Sequence, residues 1–180
     1  MFMSLIRKRR SIRNFLAKQV EPEKVDLLAE AALRAPSSRG LQPWEFIFVT
    51  DHSLIEKLSR AKQYGSAFLK NAPLTIVVCA DPNKSDVWIE DSSIAGTFIQ
   101  LAAESLGLGN CWIQIRERMY DDTKTAQEYI SEILNIPPNL RVESLIAVGY
   151  PDEEKPPRIK KELLYEKVYL NLYGKPYTNP

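Results

Sequence analysis

One histidine and two cysteines are all that this chain of 180 residues offers of the side chains on which much site chemistry rests. His52 would have to carry a Ser-His-Asp triad or a histidine-ligated zinc site alone, so most hydrolase and metal readings fade. Cys79 and Cys111 stand singly in apolar stretches with no CxxC spacing, which points to buried reduced thiols and no metal. An excess of charge is also missing. Lys plus Arg number 24 against 23 Asp plus Glu, and a net +1 gives no whole-molecule field of the kind that draws in nucleic acid or a membrane surface. Any charge-driven partner must be met locally. No apolar run approaches the roughly 18 residues of a membrane span, and the N-terminus lacks the charged, apolar and small-residue succession of a secretory leader. A cytoplasmic protein with no membrane or nucleic-acid partner is expected. What is present, 44% apolar and 26% charged residues, is ordinary globular composition filling one core.

Along the chain, a short helix is expected from about Ser4 to Lys8 with Ser4 as its cap, running into a basic stretch. A second starts at Pro22, a residue suited to a first turn, and continues to about Arg34 with Val25, Leu28 and Ala32 at helical spacing. Trp44 to Thr50 is aromatic and β-branched and reads as a strand, after which Asp51 caps a helix to about Ala61. Leu74 to Ala80 is apolar nearly throughout, the pattern of a strand buried on both faces. Asp91 to Leu106 predicts the longest helix, core-facing on most sides and ended by Gly107. Asn110 to Ile115 reads as extended, about Thr123 to Leu134 as a helix, and Glu143 to Tyr150 as the last strand, stopped by Gly149 and Pro151. This interleaving predicts an α-β layered sandwich with helices on both sheet faces.

Two stretches could carry chemistry. In extended backbone alternate residues share a side, so Arg9, Ser11 and Arg13 can converge on one anion while Arg10 points elsewhere. Guanidinium forks match phosphate oxygens in pairs. Taken alone, the run suits a solvated basic face or a nonspecific nucleic-acid patch better than a defined site. The second stretch, Ala35 to Trp44, places Pro36, Ser37, Ser38 and Gln42 between a helix end and a strand start, where loops often bind ligands and where surface turns use the same residues. Glu90 and Asp91 suit a helix N-terminus through the backbone dipole and need no acid-base role.

Together these stretches resemble the FMN-dependent nitroreductase family. The carriers of the resemblance are Arg9-Arg10-Ser11-Ile12-Arg13, then Pro36-Ser37-Ser38-Arg39-Gly40-Leu41-Gln42-Pro43-Trp44, the Ala72-Pro73 pair, Gly107-Leu108-Gly109-Asn110-Cys111-Trp112-Ile113, and Val148-Gly149-Tyr150-Pro151. They span nearly the whole chain in the family's order. The family often has Asn where Gly40 stands, and the Asn common before its second strand has no clear counterpart, with Gly65 and Ser66 in that region.

The resemblance implies an α+β fold, a three-layer α-β-α sandwich with a mixed central sheet and a C-terminal arm exchanged with a partner. Residues 1–150 would form the FMN-binding domain and 151–180 an extension packing on the partner subunit of a homodimer. Arg9 and Ser11 would hold the FMN phosphate with Arg10 nearby, joined by Arg158 and Lys160, while Arg13 would face the pyrimidine edge of the ring. Pro36, Ser37, Ser38 and Gln42 would approach from the partner, and Gln114 and Ile115 would face the ring through their backbone. The implied activity is hydride transfer from NADH or NADPH through FMN to a small electron-poor acceptor such as a nitroaromatic, quinone or flavin. Reductive dehalogenation occurs on the same fold, and a noncatalytic phosphate- or nucleic-acid-binding module using the Arg9 to Arg13 patch is the competing class.

Overall fold

Seven consecutive buried residues, Leu74–Ala80, form the strand on which the rest of the molecule is assembled. In the computed structural model, which describes residues 2–177, the helices are α1 (Phe2–Lys8), α2 (Pro22–Leu33), α3 (His52–Leu58), α4 (Trp88–Ser105) and α5 (Ala126–Leu134). The strands are β1 (Trp44–Val49), β2 (Leu74–Ala80), β3 (Gly109–Gln114) and β4 (Arg141–Gly149), in the sheet order β1-β2-β4-β3. β2 and β4 are central because their apolar runs can be covered on both sides, with Val77 opposite Leu145.

The two sheet faces carry separate cores. Val77, Leu145, Ala147 and Ile113 pack against Ile55 and Leu58 of α3 and Ile130 of α5. Ile76, Val78, Ile146 and Val148 pack against Leu28 and Ala32 of α2 and Ile99 and Ala103 of α4. That is the expected α-β-α sandwich. Local signals set the helix ends: Asp51 accepts from the Leu54 amide at 2.9 Å, and Gly107 takes φ 73° just past α4, a conformation that strains a side chain.

Several expectations are corrected. The three strand pairings are all antiparallel, and the single parallel element is the isolated Ser11–Asn110 bridge, so the sheet among the described residues is not mixed. α1 begins at Phe2, so Ser4 lies inside it and caps nothing. α5 begins at Ala126 because Thr125 and Glu128 form a reciprocal capping box, while Asp121 ties down the turn before it. α4 is not enclosed on most sides: Ile94 and Phe98, one turn apart, remain 40% and 38% exposed. Phe2, Met3 and Ile6 of α1 are exposed as well.

From Pro156 to Tyr177 every residue of the extension is exposed, including Leu163, Leu164, Leu170 and Leu172. Before that point the chain does not leave its own domain. Leu16 N donates to Tyr150 O and Asp152 N to Asn14 O, both at 2.9 Å, so residues 150–152 are laced to the N-terminal segment. The end of the extension, 178–180, lies outside the described residues.

Candidate functional site: a cationic cavity between the two ends of the chain

The segment after α1 is extended because it is stitched to two partners. Ile12 N donates to Asn110 O at 2.9 Å on β3, and Ile12 and Phe15 turn their side chains into the core. The alternation then leaves Ser11 half-buried and Arg13 exposed on the opposite side. Glu153 closes the other margin, its Oε1 accepting from the Arg13 amide at 2.5 Å and the Asn14 amide at 3.2 Å. The Arg13 amide bond and the neighbouring Lys155 hold this carboxyl below the usual range.

Between the segment and the extension lies a cavity of about 1080 Å³. Arg7, Arg9, Arg10 and Arg13 face Lys155, Arg158 and Lys160 across it, and no carboxylate is among its described lining residues. Met3, Ile6, Leu163 and Tyr165 make an apolar wall on the same cavity. Arg10 was expected to point away from Arg9 and Ser11. It lines the cavity with them, because its guanidinium donates to the Pro156 carbonyl and is drawn toward the extension.

Burial pushes the Cys111 thiol above its ordinary value, while Arg13, Lys155, Arg9 and a hydrogen bond with Ser11 pull it back. The thiol of Cys79, deeper in the sheet, is pushed up to about 12 by burial. Both cysteines are free and buried, as the sequence suggested.

The remaining expected site residues stand elsewhere. Pro36, Ser37, Ser38 and Gln42 do not line the cavity, and form a separate loop between α2 and β1. Ser37 Oγ accepts from the Gln42 amide at 3.0 Å, and Arg39, Gly40 and Gln42 take φ of 53°, 66° and 47°. Gly40 therefore answers a backbone requirement, the same left-handed region that Asn tolerates. Gln114 turns its side chain inward, accepting from Trp112 Nε1 at 3.0 Å and donating to Glu143 Oε1 at 3.1 Å. Ile115 is fully buried. Desolvation raises the Glu143 carboxyl, and Gln114 and Arg116 oppose that shift.

Sequence reasoning missed the residues that hold these segments. Asp91, 2% exposed on α4, accepts from the Ser38 amide at 2.8 Å and from Ser85 Oγ at 2.9 Å, so it anchors the loop that carries Ser37 and Ser38. The available signal was an acidic residue in the first turns of a helix that is otherwise apolar on its inner face. Glu153 gave no comparable signal within a run of charged residues.

The chain matches the model of the nitroreductase family over residues 6–63 and 56–150. A solved FMN-dependent nitroreductase from Clostridium difficile R20291 superposes with a TM-score of 0.94 at 51% identity, covering 95% of this chain and 99% of that one. A protein of Archaeoglobus fulgidus provisionally named NADH dehydrogenase/NAD(P)H nitroreductase is 39% identical over 157 residues, 85% of this chain and 87% of the relative. The NAD(P)H FMN reductase of Bacillus subtilis strain 168 is 28% identical over 186 residues, 90% of this chain and 72% of its own length. Agreement of motif order, sheet-and-helix layering and matched length makes this chain a member of the nitroreductase family.

Proposed function

We propose that this chain is an FMN-dependent oxidoreductase that takes hydride from NADH or NADPH and delivers it to a small electron-poor acceptor, a nitroaromatic, quinone or flavin. The observation that carries the reading is the cavity in which Arg9, Arg10, Ser11, Arg13, Arg158 and Lys160 come together from opposite ends of the chain. Its donor set fits FMN: several cations and a hydroxyl for a dianionic phosphate, an apolar wall, and a volume just above the roughly 300–1,000 Å³ typical of small-molecule sites.

Arg9, Arg158 and Lys160 bind the phosphate, the arginines by paired N–H donors and the lysine as a point charge. Ser11 adds a neutral hydrogen bond on the same side. Bound there, FMN would supply the two-electron hydride chemistry that links nicotinamide to acceptor. Arg13 holds a positive charge toward the ring and so favours its reduced form. No strong acid-base pair is required of the protein, in keeping with the single exposed His52.

The assembly is a homodimer in which Ser37, Ser38 and Gln42 complete the site of the other subunit. The exposed Ile94 and Phe98 of α4 and the exposed leucines of the extension supply apolar surface for that contact. The test is spectroscopic. Purified protein should be yellow, release FMN on denaturation, and bleach on anaerobic mixing with NADH or NADPH. A protein that stays colourless and takes up no added FMN overturns the reading.

A further inference from the structure

Arg39 and Gln42 both stand in the left-handed region within the loop between α2 and β1, a conformation that residues with side chains keep only where their surroundings enforce it. Inside the loop, the Gly40 amide donates to the Ser37 carbonyl at 3.1 Å and the Leu41 amide to the Ser38 carbonyl at 3.0 Å. These bonds shape the turn without fixing it to the body of the protein. Two other ties do that. The ion pair of Arg39 with Asp86 is exposed at both ends, where water and salt leave it weak. The stronger tie runs from the Ser38 amide to Asp91 Oδ1 at 2.8 Å, on a carboxylate only 2% exposed. Asp91 Oδ2 is fixed in turn by the Ser85 hydroxyl at 2.9 Å.

Asp91 lies in the first turn of α4, where the backbone dipole favours a carboxylate. One turn further on, Ala95 packs against Ala35 and Trp44, the two ends of the loop. The loop therefore rides on α4 as one body with it. Ser38 and Gln42 give only their backbone amides to the bonds that hold the loop, which leaves a hydroxyl and a carboxamide for a ligand. That ligand is not in the cavity of the same chain, since neither residue lines it. On its outer face α4 shows Ile94 and Phe98 to solvent, so a second copy seated there would receive the loop from its neighbour.

Resting on the FMN function and the homodimer above, we propose that Asp91 is a positioning residue for the flavin site of the neighbouring subunit. It touches no flavin itself, and acts by holding Ser38 and Gln42 where the neighbour's FMN meets them.

The experiment asks whose site Asp91 serves. Arg9→Ala damages the phosphate wall of a chain's own cavity and Asp91→Ala the loop given to the neighbour, so each homodimer should bind FMN at least about tenfold more weakly than wild type. Co-expressed with different affinity tags and purified as a heterodimer, the two variants leave one site with both parts intact and one with neither. That heterodimer should bind one FMN per pair of chains at close to wild-type affinity. A general loss of stability, or a role in the chain's own site, would leave the heterodimer no tighter than the homodimers, and that result overturns the proposal while the FMN function stands. A flavin-loaded wild-type protein that sediments as a monomer overturns it too. Asp91→Asn keeps an acceptor for the Ser38 amide and a donor for Ser85 Oγ, and should restore most of the affinity. An Asn variant as weak as Ala overturns the positioning role. If Asp91→Ala does not fold, Ser85→Ala, which frees one oxygen of the carboxylate, takes its place in the heterodimer. Wild-type protein that holds no flavin overturns the function and this inference together.

Discussion

Lys155 Nζ donates to the Ser11 carbonyl at 2.8 Å, across 144 positions of sequence, and pairs with Glu153 at 2.9 Å. One side chain thus fixes the backbone of the Arg9–Arg13 segment and the start of the extension at the same time. The predicted consequences of that joint, and of the packing beneath it, can each be measured.

Arg9→Ala removes a charge-assisted phosphate contact of about 1.5–3 kcal/mol. FMN affinity of the apoprotein should fall at least about tenfold by fluorescence titration. Unchanged affinity would take this segment out of the site.

Arg13→Gln should lower the flavin midpoint potential and slow bleaching by nicotinamide, with less loss of binding than Arg9→Ala. A potential equal to wild type would place Arg13 away from the ring.

Glu153 is held below its ordinary pKa of 4.5 by the Arg13 amide and Lys155. A depressed folded-state value means the carboxylate stabilises the fold above the unfolded pKa and loses that contribution as pH falls through the folded one. Urea unfolding should therefore show wild type ahead of Glu153→Gln by about 1 kcal/mol at pH 7, the difference between a charged and a neutral hydrogen bond. The two should converge as pH falls below the ordinary glutamate value of 4.5 and through the lowered folded-state value. A difference that is constant from pH 7 to pH 3 would contradict this.

Gly96→Ala ought to help a helix by about 1 kcal/mol on propensity alone. At this site the new Cβ would lie 2.4 Å from Cζ3 of Trp112, so the clash should prevail and cost about 1–3 kcal/mol in chemical denaturation. A more stable variant would show that Trp112 moves freely.

Truncation after Leu163 keeps Arg158 and Lys160 and removes the exposed Leu164, Leu170 and Leu172. The shortened protein should sediment as a monomer and lose flavin. A yellow dimer with full occupancy would make the extension dispensable.

How much of this was readable in the chain depends on range. The β2 run, the Asp51 cap and the turn at Gly107 are local matters, decided by side-chain shape, capping and backbone freedom within a few residues, and they stand as expected. The register of motifs carried the family and the convergence of Arg9, Ser11, Arg158 and Lys160. Arg10 was misjudged because alternation governs an isolated strand, whereas its direction is set by the Pro156 carbonyl far along the chain. The anchoring role of Asp91 escaped for the same reason: its partner, Ser38, lies 53 positions away. The open outer face of α4 escaped notice because apolar periodicity registers which positions avoid water without saying what will cover them.

The cavity's two walls come from residues near 9–13 and 155–160, with the entire sheet between them. During synthesis the first wall leaves the ribosome early and waits, exposed and strongly cationic, while roughly 140 residues are made at about 5–20 per second. Only then does the second wall arrive. On the function proposed above, retention of FMN needs both walls and so cannot precede the synthesis of the second.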